Sequence, residues 1–319
     1  MRRSQIALLA VAAAVVAFSI VNASWLSSAP TGPLIVVAHR GVVQPFDRAE
    51  VGDCSARHVR ATGHMFIENT IFSMQAAISF GARALMLDVH ASADGRAMIF
   101  RDADLGCRTN GTGRVRDRPM AYLATLDVGY GYSPDGGASF PLRGRGVGGM
   151  PTAEEVLRRV PTGTTLIFTL SEPRDADALL ADFARASVAV SDLHGFAGPP
   201  EALGRLRQLT RAGWTIDRQA GDACLSGYRA TGWFGQVPNE CRGATVIVPR
   251  RGEWTLWGWP YRFMNRLTGA GARLFIQGDA PPGAFVGLEQ AEQIGEVPRS
   301  YRGLLLIEDM HDVGRALGR

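Results

Sequence analysis

From Leu34 to Asp309 the chain repeats one pattern, a short apolar run followed by a segment with helical spacing. The candidate strands are LIVVAH (34–39), ALMLDV (84–89), AMIF (97–100), TLIFTL (165–170), SVAVSD (187–192), WTIDRQ (214–219), TVIVPR (245–250), RLFIQG (273–278) and LLLIED (304–309). Several are apolar on consecutive residues, as expected of strands covered on both faces. Helices are expected over 69–80, 153–160, 175–186, 201–212 and 260–269. Strand and helix in turn imply a parallel α/β fold, and about eight strands favour a (β/α)8 TIM barrel over an open sheet. With 46% hydrophobic residues, the stretch 31–319 can bury the core of one such domain. Two connections break the rhythm: an extended loop over 42–67 after the first strand, and a Gly-, Asp- and Arg-rich insertion over 101–150 after the second. Connections of that length mark a functional mouth.

The head of the chain is of another kind. Residues 1–23 read MRRSQ, then IALLAVAAAVVAFSIV over 6–21, then NA: a charged start, an apolar run and small residues. This is the order of a signal peptide, and the run is also close to the length of a retained membrane anchor, so both readings stay open. A Ser/Pro/Gly linker completes residues 1–30. In either case Arg2 and Arg3 stay cytoplasmic and the remainder is exported, to the periplasm or the outer face of a bacterial inner membrane. Four cysteines in an exported chain predict disulfides. Of the three possible arrangements, Cys54 with Cys107 and Cys224 with Cys241 is preferred, because the second pair closes a short loop and the first ties two segments at one end of the fold. The formal charge of +4, with no basic stripe, gives no basis for a nucleic-acid partner.

Five stretches occur in an order and at a spacing that resembles the glycerophosphodiester phosphodiesterases: AHRG (38–41), ENTIFSMQAAISFGA (68–82), LDV (87–89) with DG (94–95), RTNGTGRV (108–115) and MPTAEEVL (150–157). The resemblance implies a (β/α)8 barrel that hydrolyses glycerophosphodiesters to an alcohol and glycerol phosphate. It also implies a divalent ion, Ca²⁺ or Mg²⁺, and an Arg on the phosphoryl oxygens, with two His moving protons. On this resemblance His39 matches the first catalytic His and Arg40 the phosphate-binding Arg. Three positions depart from the family. Its Glu-Leu-Asp strand is here Met86, Leu87, Asp88, which leaves Asp88 as the residual ligand candidate. Its second His, which precedes an Asp, is here Arg101 before Asp102, and a third carboxylate ligand falls at Thr169.

A single Asp is a poor site for a hard dication, so no metal cofactor is expected unless the family site works after all. Losing carboxylates and gaining Arg101 is expected to make the pocket more positive, with Arg40 and Arg101 clamping phosphate. Glu68 and Asn69 are candidate pocket residues, although Glu68 has an alternative role at a helix start, complementing the helix dipole. Asp88 is expected to pair with Arg101, and Met86 and Thr169 to serve packing. WTLWGWPY (254–261) reads as rim packing, with a lipid-facing wall or a membrane contact as the alternative, and GRGVGG (144–149) as a flexible loop. The expected function is a degenerate homologue that binds a glycerophosphodiester or phospholipid headgroup with little or no turnover. The alternatives are an active phosphodiesterase, with or without a metal, and an envelope scaffold or partner-binding protein.

Overall fold

The computed structural model describes residues 3–46, 54–250, 255–281 and 283–317. Helix α1 (Arg3–Asn22) is followed by β1 (Leu34–His39), α2 (Ile71–Ser79), β2 (Ala84–Ala91), β3 (Ala97–Ile99) and α3 (Met120–Leu123). Then come α4 (Ala153–Arg159), β4 (Thr165–Leu170), α5 (Pro173–Ala186), β5 (His194–Ala197), α6 (Pro200–Leu209) and β6 (Trp214–Ile216). The chain continues through α7 (Arg218–Thr231), β7 (Thr245–Ile247), α8 (Tyr261–Gly269), β8 (Arg273–Ile276), β9 (Gly303–Ile307) and α9 (Val313–Leu317).

The parallel strands follow the order β6-β5-β4-β2-β1-β9-β8-β7: apart from β6 and β7, which end the order, successive parallel strands are neighbours in the sheet, and β9 lies beside β1. This is the connectivity of a (β/α)8 barrel. The AMIF run is not a barrel strand: β3 folds back antiparallel on β2, with Val89 opposite Ile99, after a turn through Gly95 at φ 72°. Local chemistry fixes the helix starts. Thr152 and Glu155 form a reciprocal capping box on α4, and Asp217 caps α7 by accepting from Ala220 N–H.

Two of the expected strands need correction. SVAVSD is not a strand: Ser187 ends α5 in the left-handed region at φ 59°, Val188 N–H returns to Phe183 O, and the strand forms later as His194–Ala197. The apolar run Val188, Ala189, Val190 imitated a strand where the chain was closing a helix. WTIDRQ stops at Ile216, because the Asp217 cap turns the next residues into α7, a helix the spacing did not announce.

By density of contacts the chain divides into two compact units. The larger comprises Val36–Ile216, Gly278–Ile294 and Leu306–Arg319; the smaller comprises Met1–Ile35, Asp217–Gln277 and Gly295–Leu305. In the larger unit the described parts of the two long connections are packed rather than loose. Phe46, Val59, Leu105, Val115, Leu126 and Tyr132 bury one another in a second core outside the strands. The Cys54–Cys107 disulfide staples one connection to the other, and in the smaller unit Cys224–Cys241 ties α7 to the turn that precedes β7, both as expected. Residues 47–53 of the first connection and Trp254 of WTLWGWPY lie outside the described residues.

Candidate active site

The chain leaves β1 through two consecutive left-handed residues, Arg40 at φ 61° and Gly41 at φ 82°. At Gly41 a Cβ would lie 2.8 Å from the Ser73 backbone, so glycine is required there. Arg40 is a non-glycine residue in a costly conformation, held by its N–H on Met86 O at 2.7 Å and its carbonyl under Asn69 N–H at 2.8 Å. Asn69 is itself left-handed, at φ 58°. This turn sets His39 and Arg40 at the carboxyl end of the strand, the end at which barrel sites are built.

Three carboxylates converge on Arg40. Glu68 Oε2 is 2.7 Å from its Nε, Asp88 Oδ2 is 3.7 Å from Nη1, and Glu308 Oε1 accepts from Nη2. Glu308 follows β9 and is buried; its Oε2 takes the Gly287 N–H at 2.8 Å and faces His39 Nδ1 at 2.8 Å. Arg40 Nη2 and Gly287 N–H both donate to Glu308, so the group acts as a carboxylate, and a hydrogen bond from His39 to it requires the proton on Nδ1. The lone pair of the imidazole is then on Nε2, the arrangement of a carboxylate-oriented general base.

A second cluster surrounds Glu68. Its Oε1 receives Arg108 Nε at 2.9 Å and Tyr132 OH at 2.9 Å, with Arg101 Nη1 at 3.5 Å. Arg108 is buried between Glu68, Asp102 and Ser55 Oγ at 2.6 Å, and it neighbours Cys107 of the disulfide, which fixes where its side chain enters. Burial alone would raise the Glu68 carboxyl, but the guanidiniums of Arg101, Arg108 and Arg40 outweigh it and hold the group far below the usual carboxylate range. Arg101 is pushed down, by burial first and by the positive charge of Arg40 second, which makes it the least well neutralised cation of the three.

Several expectations change on these contacts. Asp88 pairs with Arg40 and accepts Asn69 Nδ2 at 3.2 Å, while Arg101 turns to Glu68 and Asp102. Glu68 does not serve the start of α2; Thr70 caps that helix by accepting from Ser73 N–H, and Glu68 points into the cluster. The pocket is not strongly positive either. Arg40, Arg101 and Arg108 meet Glu68, Asp88, Asp102 and Glu308, because buried guanidiniums need carboxylate partners. Met86 is fully buried in register with His39, and Thr169 stands in register with Asp88, its buried Oγ1 without a hydrogen-bond partner.

Sequence reading missed Glu308, Arg108 and Tyr132 as site residues. Glu308 had a signal, since it directly follows the apolar run of the last strand, where a barrel places its functional groups. The donor set does not fit a hard divalent ion: the converging carboxylates are each taken by a guanidinium, and the flanking strand positions offer the Met86 thioether and the Thr169 hydroxyl. Among the described residues no three or more His, Cys, Asp or Glu side chains are grouped to hold a metal.

Residues 58–186 match the model of the Glycerophosphoryl diester phosphodiesterase family. The uncharacterized protein Rv2277c of Mycobacterium tuberculosis is 30% identical over 113 residues, which is 35% of this chain and 37% of that protein. A glycerophosphodiester phosphodiesterase of Bacillus subtilis is 33% identical over 105 residues, 32% of this chain and 34% of that protein. The match thus spans about a third of the length of these curated relatives. The backbone resembles the crystal structure of the glycerophosphoryl diester phosphodiesterase domain of Rv2277c, with a TM-score of 0.66 at 16% identity over 90% of this chain and 99% of that one. It also resembles an Oleispira antarctica phosphodiesterase in complex with the product sn-glycerol-3-phosphate, with a TM-score of 0.56 at 16% identity over 89% and 97%.

Proposed function

We propose that this chain, whose residues 58–186 match the model of the Glycerophosphoryl diester phosphodiesterase family, is a phosphodiester- or phosphate-binding homologue with little or no metal-dependent turnover. The observation that carries this reading is the engagement of Glu68, Asp88 and Glu308 with Arg40, which leaves the cluster cross-linked by guanidiniums where a metal site needs open carboxylate oxygens. Arg101 receives the phosphate group. It is partly exposed, under-neutralised and shares its nearest carboxylate with Arg40 and Arg108, so an arriving anion relieves repulsion among cations.

A second reading is favoured by the Glu308–His39 contact: slow, metal-independent hydrolysis with His39 Nε2 as the base and Arg101 stabilising charge on the phosphoryl oxygens. One experiment separates the two. The full-length chain in detergent is assayed with glycerophosphocholine and bis(p-nitrophenyl) phosphate in EDTA, Ca²⁺ and Mg²⁺, and its thermal midpoint is followed with sn-glycerol-3-phosphate. Binding predicts a rise in midpoint that Arg101→Ala abolishes. Turnover in EDTA that His39→Ala abolishes supports the second reading. Turnover that appears only with a divalent ion refutes both.

A further inference from the structure

Helix α1 is 20 residues long, so it spans about 30 Å, the hydrocarbon thickness of a bilayer. Its side chains from Ser4 to Ile20 are exposed, Leu8 at 70%, on every face of the helix. A helix apolar all round is stable when a second apolar phase surrounds it.

The end of this helix is fastened into the smaller unit by side chains of α8 and of the segments around it. Arg266 Nη2 donates to Val21 O at 2.8 Å, and Arg262 Nε donates to Ala23 O at 3.1 Å. These two guanidiniums satisfy terminal carbonyls that a helix leaves open and face the negative end of its dipole. Asn22 Nδ2 reaches Trp233 O at 2.6 Å, Ser24 Oγ accepts Tyr261 N–H at 2.9 Å, and Phe18 packs edge-on against Trp257 with centroids 5.6 Å apart. Ala23, in the small-residue segment where a signal peptide is cut, is buried.

Around this junction large aromatic rings face outward. Trp25 is 80% exposed, and Trp233 and Phe234, in mutual edge contact at 4.7 Å, are each about half exposed. Trp233 lies 6.4 Å from Phe18, so the aromatic patch is continuous with the apolar helix. Amphipathic rings at the end of an apolar span are suited to the headgroup layer. We infer that α1 is a retained membrane anchor and that Trp25, Trp233 and Phe234 seat the smaller unit on the lipid surface. The bilayer is the occupant because one surface combines a span of matching length with an interfacial ring at its exit. Arg2 and Arg3 at the opposite end of the segment give it its orientation.

The test uses the full-length chain produced in a bacterial host. The expected protein has an intact mass that includes α1, pellets with membranes, resists high salt and alkaline carbonate, and is released by detergent. A mature chain beginning at Ser24, or one washed off by salt, overturns the inference. The purified chain is then reconstituted in phosphatidylethanolamine–phosphatidylglycerol vesicles that carry lipids brominated either near the headgroup or near the chain ends. Tryptophan fluorescence is expected to be quenched about twofold more by the shallow bromines, and the Trp25→Phe/Trp233→Phe variant to lose most of that difference. Equal quenching at both depths, or quenching unaltered in the variant, removes the interfacial ring.

Discussion

The two units depart from the usual distribution of residues in opposite directions. In the larger one, Arg40, Glu68, Arg108 and Glu308 are charged and buried. In the smaller one, the apolar side chains of α1, Trp25, Trp233 and Phe234 are exposed. Burying charge is tolerated when each group finds its counter-ion inside the protein, and here every one does. Exposing apolar area is tolerated when something outside the protein covers it. Arg40, Glu68, Arg108 and Glu308 are therefore neutralised from within the protein, whereas the aromatic junction is left for the inferred lipid contact to cover.

The largest test of this contrast is at Glu68. Glu68→Ala leaves Arg40, Arg101 and Arg108 facing one another without their shared carboxylate, and is expected to cost about 3–5 kcal/mol in urea unfolding. Next in size is the staple that holds Arg108 in place. Cys54→Ser/Cys107→Ser is expected to cost about 2–4 kcal/mol, roughly 1 kcal/mol more than Cys224→Ser/Cys241→Ser, because it closes the longer loop. A larger loss from the shorter loop would show that the charged cluster does not depend on its staple.

Acid sharpens the comparison. The folded Glu68 carboxyl is held below its unfolded range, so its stabilisation is complete above about pH 4.3 and disappears progressively below it, as the unfolded chain takes up protons first. His64 acts at higher pH with the same sign. Burial and the neighbouring His311 push its imidazole down from 6.5 to about 4, so the unfolded chain binds the extra proton in that window and stability falls as pH falls. Thermal midpoints should therefore decline between these values in a way that His64→Phe flattens, then decline further in a way that Glu68→Gln flattens. The smallest effect is expected at the exposed rings. Trp25→Ser/Trp233→Ser should change unfolding free energy by less than about 0.5 kcal/mol while weakening vesicle association, and a large stability loss would mean that the rings are packed.

Legibility in the sequence followed the range of the interactions. Runs such as TLIFTL and LIVVAH became β4 and β1 over the same residues, since continuous apolar stretches have one stable place in a parallel sheet. SVAVSD failed because a left-handed Ser187 closed a helix inside the pattern, and α7 was missed because the Asp217 cap looked like the end of a strand. His39, Arg40, Glu68, Asp88 and Arg101 were all named from motifs, and they do lie in one connected network. Their pairings were not legible, since Asp88 met Arg40 and Asn69, and Arg101 met Glu68.

The sequence by itself determined the alternation of strands and helices, the two long connections and the presence of an apolar span, and it favoured, among three arrangements, the cysteine pairing that formed. Each follows from residue type and spacing along the chain. Only the tertiary structure decided that Glu308, 268 residues beyond Arg40, closes on the same guanidinium, and that Arg262 and Arg266 hold the end of α1. Charge balance inside a fold depends on which distant side chains share one small volume, and no local pattern encodes that sum.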